Sequence, residues 1–145
     1  MAITQAIANS FKQQLLEGEH NFGSGDDKFK IALYTSSATL NSATTAFTAT
    51  GEVSNTGQYT SGGGALVNNG TSITAGVARV DFADRSFTGV TLTARGALIY
   101  NTSATATNAA VCALDFGADK TATAGVFTIQ FPAATSTAAI LRISG

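Results

Sequence analysis

Over residues 3–17 apolar side chains recur every four positions, at Ile3, Ile7, Phe11 and Leu15, with Asn9, Lys12, Gln13 and Glu17 between them. This spacing predicts an amphipathic α-helix over 3–17, stopped by Gly18. A short helix is marginal in water unless its apolar stripe is covered. The chain's own β domain is the favoured cover, and a neighbouring subunit or a larger assembly is the alternative, so Ile3, Ile7, Phe11 and Leu15 are the candidate interface residues. The predicted organisation is a helix with its linker at 1–22 and a β-sandwich domain at 23–145.

After the turn signal Gly23-Ser-Gly-Asp-Asp27 the hydrophobic period falls from near four to two. In Phe29-Lys-Ile-Ala-Leu-Tyr34 the residues Phe29, Ile31 and Leu33 share one face, which marks a half-buried strand. Residues 35–50 are mostly Ser, Thr, Ala and Asn, anchored only by Leu40 and Phe47, and read as a long surface excursion. Further strands are predicted at 65–67, 77–82, 90–100, 110–116, 126–131 and 138–143. Ala78, Val80 and Phe82 oppose Arg79 and Asp81, and Phe127, Ile129 and Phe131 oppose Thr128 and Gln130, as in strands with one wet face. Ala97-Leu-Ile-Tyr100 and Ala138-Ala-Ile-Leu-Arg-Ile143 are apolar on both faces and predict burial on both. About seven short strands with turns between them argue for an all-β, antiparallel sandwich, jelly-roll or Ig-like Greek key, behind one N-terminal amphipathic α-helix.

Composition sharpens this picture. Charged residues are only 12% of the 145, against a usual share of about 25%. The net charge is −1 and the eight Lys and Arg are scattered, so the footprint of a nucleic-acid or anionic-membrane partner is missing. A weakly charged surface suits a protein packed in many copies, where like charges on neighbours would repel. No apolar run reaches the length of a membrane span and no secretory leader pattern opens the chain.

Candidate chemistry is sparse. His20 is the only histidine and reads as an exposed residue of the linker; Cys112, the only cysteine, reads as a small buried hydrophobe. Asp26-Asp27 lacks the alternate spacing of a calcium loop and reads as a solvated turn. Asp81, Asp84 and Arg85 suit an ion pair or Asx-type turn bonds. Gly62-Gly-Gly64 precedes a strand-like run rather than a Lys-Ser/Thr helix start, so it is no phosphate loop; it suits either a flexible hairpin tip or a close backbone approach. Tyr34, Tyr59 and Tyr100 remain single candidates for stacking on a sugar. No catalytic residue, cofactor, metal or small-molecule substrate is therefore expected, and the chain reads as a non-enzyme.

Several stretches resemble a family of small tailed-bacteriophage proteins in which a short helix ending Leu-Leu-Glu-Gly precedes a β domain. They are Phe11-Lys-Gln-Gln-Leu-Leu-Glu-Gly18, Phe29-Lys-Ile-Ala-Leu-Tyr-Thr-Ser36, Glu52-Val-Ser54 with Gly57-Gln-Tyr59, Ala94-Arg-Gly-Ala-Leu-Ile-Tyr-Asn101, Leu114-Asp-Phe-Gly117 and Phe127-Thr-Ile-Gln-Phe-Pro132. The resemblance implies a structural virion protein made in the host cytoplasm and placed on the phage head, a capsid decoration (cement) protein bound to the major capsid protein lattice. A tail or fibre component, or a lectin-like binder of host glycans, is the alternative. Self-association follows from the both-face apolar strands and low charge, and analogy makes it a homotrimer. No functional residue transfers from the family, because its motifs are structural.

Overall fold

The computed structural model describes residues 2–135 and 138–144. Its strands are β1 (Ala6–Ile7), β2 (Phe29–Tyr34), β3 (Gly64–Ala65), β4 (Asn68–Thr74), β5 (Val77–Phe82), β6 (Arg85–Asn101), β7 (Ala109–Ile129) and β8 (Leu141–Ile143), with one helix, α1 (Asn9–Leu16). They form an all-β, sandwich-like fold of two antiparallel sheets, a five-stranded one in the order β1-β7-β6-β2-β3 and a three-stranded one in the order β4-β5-β8. Phe29, Phe22 and Phe82 link the two: Phe22 stacks on Phe29 of β2 at 4.6 Å, and Phe29 meets Phe82 of β5 edge-on at 5.6 Å.

β2 and β5 have the bounds that alternation predicts, but β2 is not the half-buried strand its alternation suggests: Ala32 and Tyr34, on the face opposite Phe29, Ile31 and Leu33, are fully buried too, because the 35–53 excursion covers that face. Ala97, Leu98, Ile99 and Tyr100 are buried on both faces between β2 and β7, as predicted. The predicted strands at 110–116 and 126–131 are joined in one, because the Thr- and Ala-rich stretch between them continues the ladder with β6. Hydroxyl pairs support that outer half, Thr93 with Thr121 at 3.0 Å and Ser86 with Thr128 at 2.9 Å. β4 is the strand that the sequence hides. Asn68-Asn-Gly-Thr-Ser72 is turn-like in composition, yet it pairs along β5 with a bulge at Asn69.

Two long-range contacts change the reading of loops. The 35–50 excursion is pinned to the body by Leu40 and Ala38, at 0% and 1% exposure. The 138–143 run forms only the three-residue β8, and Ile143 is 60% exposed, so the burial predicted for both of its faces holds for Leu141 and not for Ile143. The reason is position: β8 is an edge strand with β5 on one side only.

The N-terminal helix is shorter than the spacing predicts. Residues 3–7 are extended: Ile3 bridges Leu40, and Ala6 and Ile7 pair with Ala113 and Cys112. A period of four is also even, so Ile3 and Ile7 fall on one face of an extended segment as readily as on one face of a helix. The free edge of β7 decides between them, because pairing there satisfies backbone groups, such as the Val111 carbonyl that accepts from Ala8 N–H at 3.0 Å. The helix stop at Gly18 is as expected. Gly18 takes φ +76°, its N–H reaches the Leu15 carbonyl, and Glu19 N–H reaches Gln14, which is a Schellman closure. Residues 3–22 share the body's core, with Ile3, Ala8, Phe11 and Phe22 in the same buried cluster as the sheets.

Candidate functional site

Helix α1 does not lie flat on the three-stranded sheet. Between them is an open apolar groove of about 550 Å³, within the size range of ligand and side-chain pockets. One side is Ile7 of β1 with Phe11 and Leu15 of α1; its sheet side is Ala78 and Val80 of β5 with Leu141 and Ile143 of β8; His20 and Phe22 close one end. Three of the four predicted interface residues are thus brought together. Ile3 is not with them: it is 7% exposed, bridged to Leu40, and fits the space left by the missing side chain of Gly96. Phe11 is buried at 4% exposure against this chain's own rings, whereas Ile7 is 36% exposed on the groove's rim.

His20 is the largest departure from the sequence reading. Instead of an exposed linker residue it is a buried one, 6% exposed, with Phe11 at 4.8 Å between ring centroids. Its bonding follows from a fixed backbone group. Ser103 N–H donates to Asn101 Oδ1 at 2.8 Å, so the amide's Nδ2 faces the other way and donates to His20 Nδ1 at 2.9 Å and to Asp27 Oδ2 at 2.8 Å. His20 therefore carries its proton on Nε2 and donates it to Gln14 Oε1 at 2.9 Å. Burial holds its pKa below the ordinary value of 6.5, against the smaller opposing pull of Asp27 and Glu19. Asp27 is not a plainly solvated turn residue, since it also accepts Asn21 N–H at 2.9 Å.

The other polar cluster is internal. Glu52 accepts from the Tyr59 hydroxyl at 2.7 Å, the Ser61 hydroxyl at 2.8 Å and Gly62 N–H at 2.7 Å. Tyr59 also accepts Leu33 N–H at 2.8 Å, Tyr34 donates to the Thr48 carbonyl at 2.6 Å, and Tyr100 donates to the Gly62 carbonyl. All three tyrosines are buried, so none presents a face to a sugar. Burial raises each of their pKa values, that of Tyr100 to about 12. These bonds tie the 48–62 loop to β2. The glycine triplet beside it is a close backbone approach: Gly63 has φ +81°, and a Cβ there would lie 1.8 Å from the Ile31 carbonyl oxygen.

Elsewhere, polar groups serve turns. Asp84 accepts Phe131 N–H at 2.9 Å and Asp81 accepts from Asn69 at 3.2 Å, while Arg85 donates to the Ala65 carbonyl and lies over the Phe87 ring. Arg95 pairs with Asp115 at 3.0 Å beside the bulge in β7; the Gly117 N–H, then Arg95, holds the Asp115 carboxyl below its usual range. Cys112 is buried, and burial pushes its thiol up to about 12. Among the described residues no three His, Cys, Asp or Glu side chains converge as metal ligands, and no helix is long and apolar enough to cross a membrane.

The sheet half of the groove was hidden in the sequence. Val80 and Leu141 carried a signal for burial, but nothing local says that β8 pairs with β5 and faces α1. Comparison with known protein families, curated proteins and solved structures finds no match to this chain.

Proposed function

We propose that this chain is a structural virion protein of a tailed bacteriophage, a decoration protein that binds the major capsid protein lattice through the groove beside α1 and works by binding rather than catalysis. The observation that carries the reading is the groove itself. It is apolar, open, and rimmed by Ile7 and Ile143, which stand 36% and 60% exposed on a surface of low charge. An apolar side chain of a capsid subunit entering it would remove these residues from water at about 25 cal/mol per Å² of apolar area. The segments that resemble small tailed-phage proteins support the same reading, and they include the Phe11–Gly18 helix that forms one wall. Copies of the chain on neighbouring lattice positions would contact one another as a homotrimer.

The test is re-addition of purified protein to capsids stripped of it, with bound copies counted per particle. The expected result is saturation at a lattice-defined number, and loss of binding by Ile143→Asp with its fold intact. Absence from the head in purified particles, or undiminished binding by Ile143→Asp, would overturn the proposal.

A further inference from the structure

We infer that His20 is a proton-operated latch: as the neutral ring it clamps helix α1 to the end of β6 and forms a wall of the groove, and on protonation it lets the helix go. The inference concerns regulation of the proposed binding groove, but the latch stands on contacts within the chain.

His20 sits between two elements that have few other polar ties. Nε2–H reaches Gln14 in the last turn of α1, and Nδ1 accepts from Asn101, the last residue of β6. Asn101 is 0% exposed and its amide cannot turn over to suit a charged ring. Turning would set Oδ1 toward the Asp27 carboxylate and NH₂ toward Ser103 N–H, losing two hydrogen bonds and opposing like partial charges. A second proton on Nδ1 therefore places N–H against N–H₂ and breaks the clamp.

The charged surroundings set the direction. Asp27, in the turn before β2, and Glu19, on the ring's own segment, favour the imidazolium; Arg79 of β5 and Arg142 of β8 also line the groove, with the Arg79 guanidinium turned to the Ala134 carbonyl and the Thr74 hydroxyl. Helix α1 offers the ring only neutral Gln14 and Phe11, and β6 only neutral Asn101. The protonated ring is drawn to the Asp27 carboxylate, which shares the Asn101 amide with it, and so away from the bond that holds the ring to β6. Because burial lowers the folded-state pKa, the stabilisation is complete above the unfolded value near 6.5 and is lost as pH falls through the folded value.

The experiment uses the full chain. Its single histidine makes the ring resonances unambiguous in an NMR titration, and amide exchange is followed in parallel at about pH 7.5 and about pH 5. The ring should titrate below 6.5. Over the same interval the helix amides, Glu17 among them, should open more readily, by about tenfold for each pH unit that the ring's pKa is lowered, while β2 and β6 amides keep their protection. His20→Gln should abolish the pH dependence of helix opening. A ring that titrates at or above 6.5, helix protection unchanged through the titration, or the same pH dependence in His20→Gln would each overturn the latch. Should that variant fail to fold, the wild-type protein still decides, because helix opening must begin to rise below pH about 6.5 and level off at the pH where the ring titrates in the folded protein. Failure of particle binding with a working latch rejects the docking reading alone; pH-independent helix protection with normal particle binding rejects the latch alone.

Discussion

Replacing Phe11 by Ala tests whether the helix belongs to this chain's own core. The ring is 4% exposed, tilted against His20 at 4.8 Å and edge-on to Phe22 at 5.9 Å. Removing a buried phenyl ring costs about 3–5 kcal/mol, and the open groove on one side of Phe11 lets water replace part of it, which argues for about 3 kcal/mol. With about 2.1 cal/mol/K of unfolding entropy per residue, the 145-residue chain has about 0.3 kcal/mol/K, so the melting point should fall by about 10 °C. Thermal unfolding of the isolated protein by circular dichroism measures this, with urea unfolding as the cross-check. Phe11→Leu keeps most of the volume and should lose under about 1.5 kcal/mol. A Phe11→Ala melting point within about 2 °C of wild type would refute own-core packing and place the stripe's cover on another molecule.

Other expectations follow from single contacts. Gly63→Ala forces a Cβ to within 1.8 Å of the Ile31 carbonyl oxygen at φ +81°, so it should lose more than about 2 kcal/mol in urea unfolding. Tyr59→Phe removes the hydroxyl between Glu52 and Leu33 N–H and should cost about 1–3 kcal/mol, read from the same denaturation midpoints. The buried tyrosines have folded pKa values raised above 10, so their stabilisation is present below pH 10 and is lost as pH rises through the folded values. Absorbance titration should then show no tyrosinate near pH 10, and ionisation coincident with unfolding above it. Cys112, buried with its thiol pushed up to about 12, should resist a thiol reagent in the native state and react at once in denaturant.

The elements and their inner faces were legible in the chain because they depend on local period. Alternation in Phe29–Tyr34 and Val77–Phe82 specifies which side chains share a face, though not that the second face of β2, with Ala32 and Tyr34, is covered as well, and Gly18 supplies the left-handed residue a helix end needs. The all-β class, the buried Cys112 and the helix's inward Phe11 follow in the same way. What tertiary structure alone decided depends on partners distant in sequence. Ile3 and Ile7 have an even spacing that suits strand or helix, and only the unpaired edge of β7 made them strand. Asn68–Thr74 looks like a turn until β5 supplies hydrogen bonds for its backbone. His20 looks exposed because the groups that bury and bond it come from α1 and from β6; Asn101 lies 81 positions away and meets it only once β6 is paired. The groove itself exists because β8 joins β5 opposite the helix, a pairing set by the closing of the second sheet and written in no local pattern.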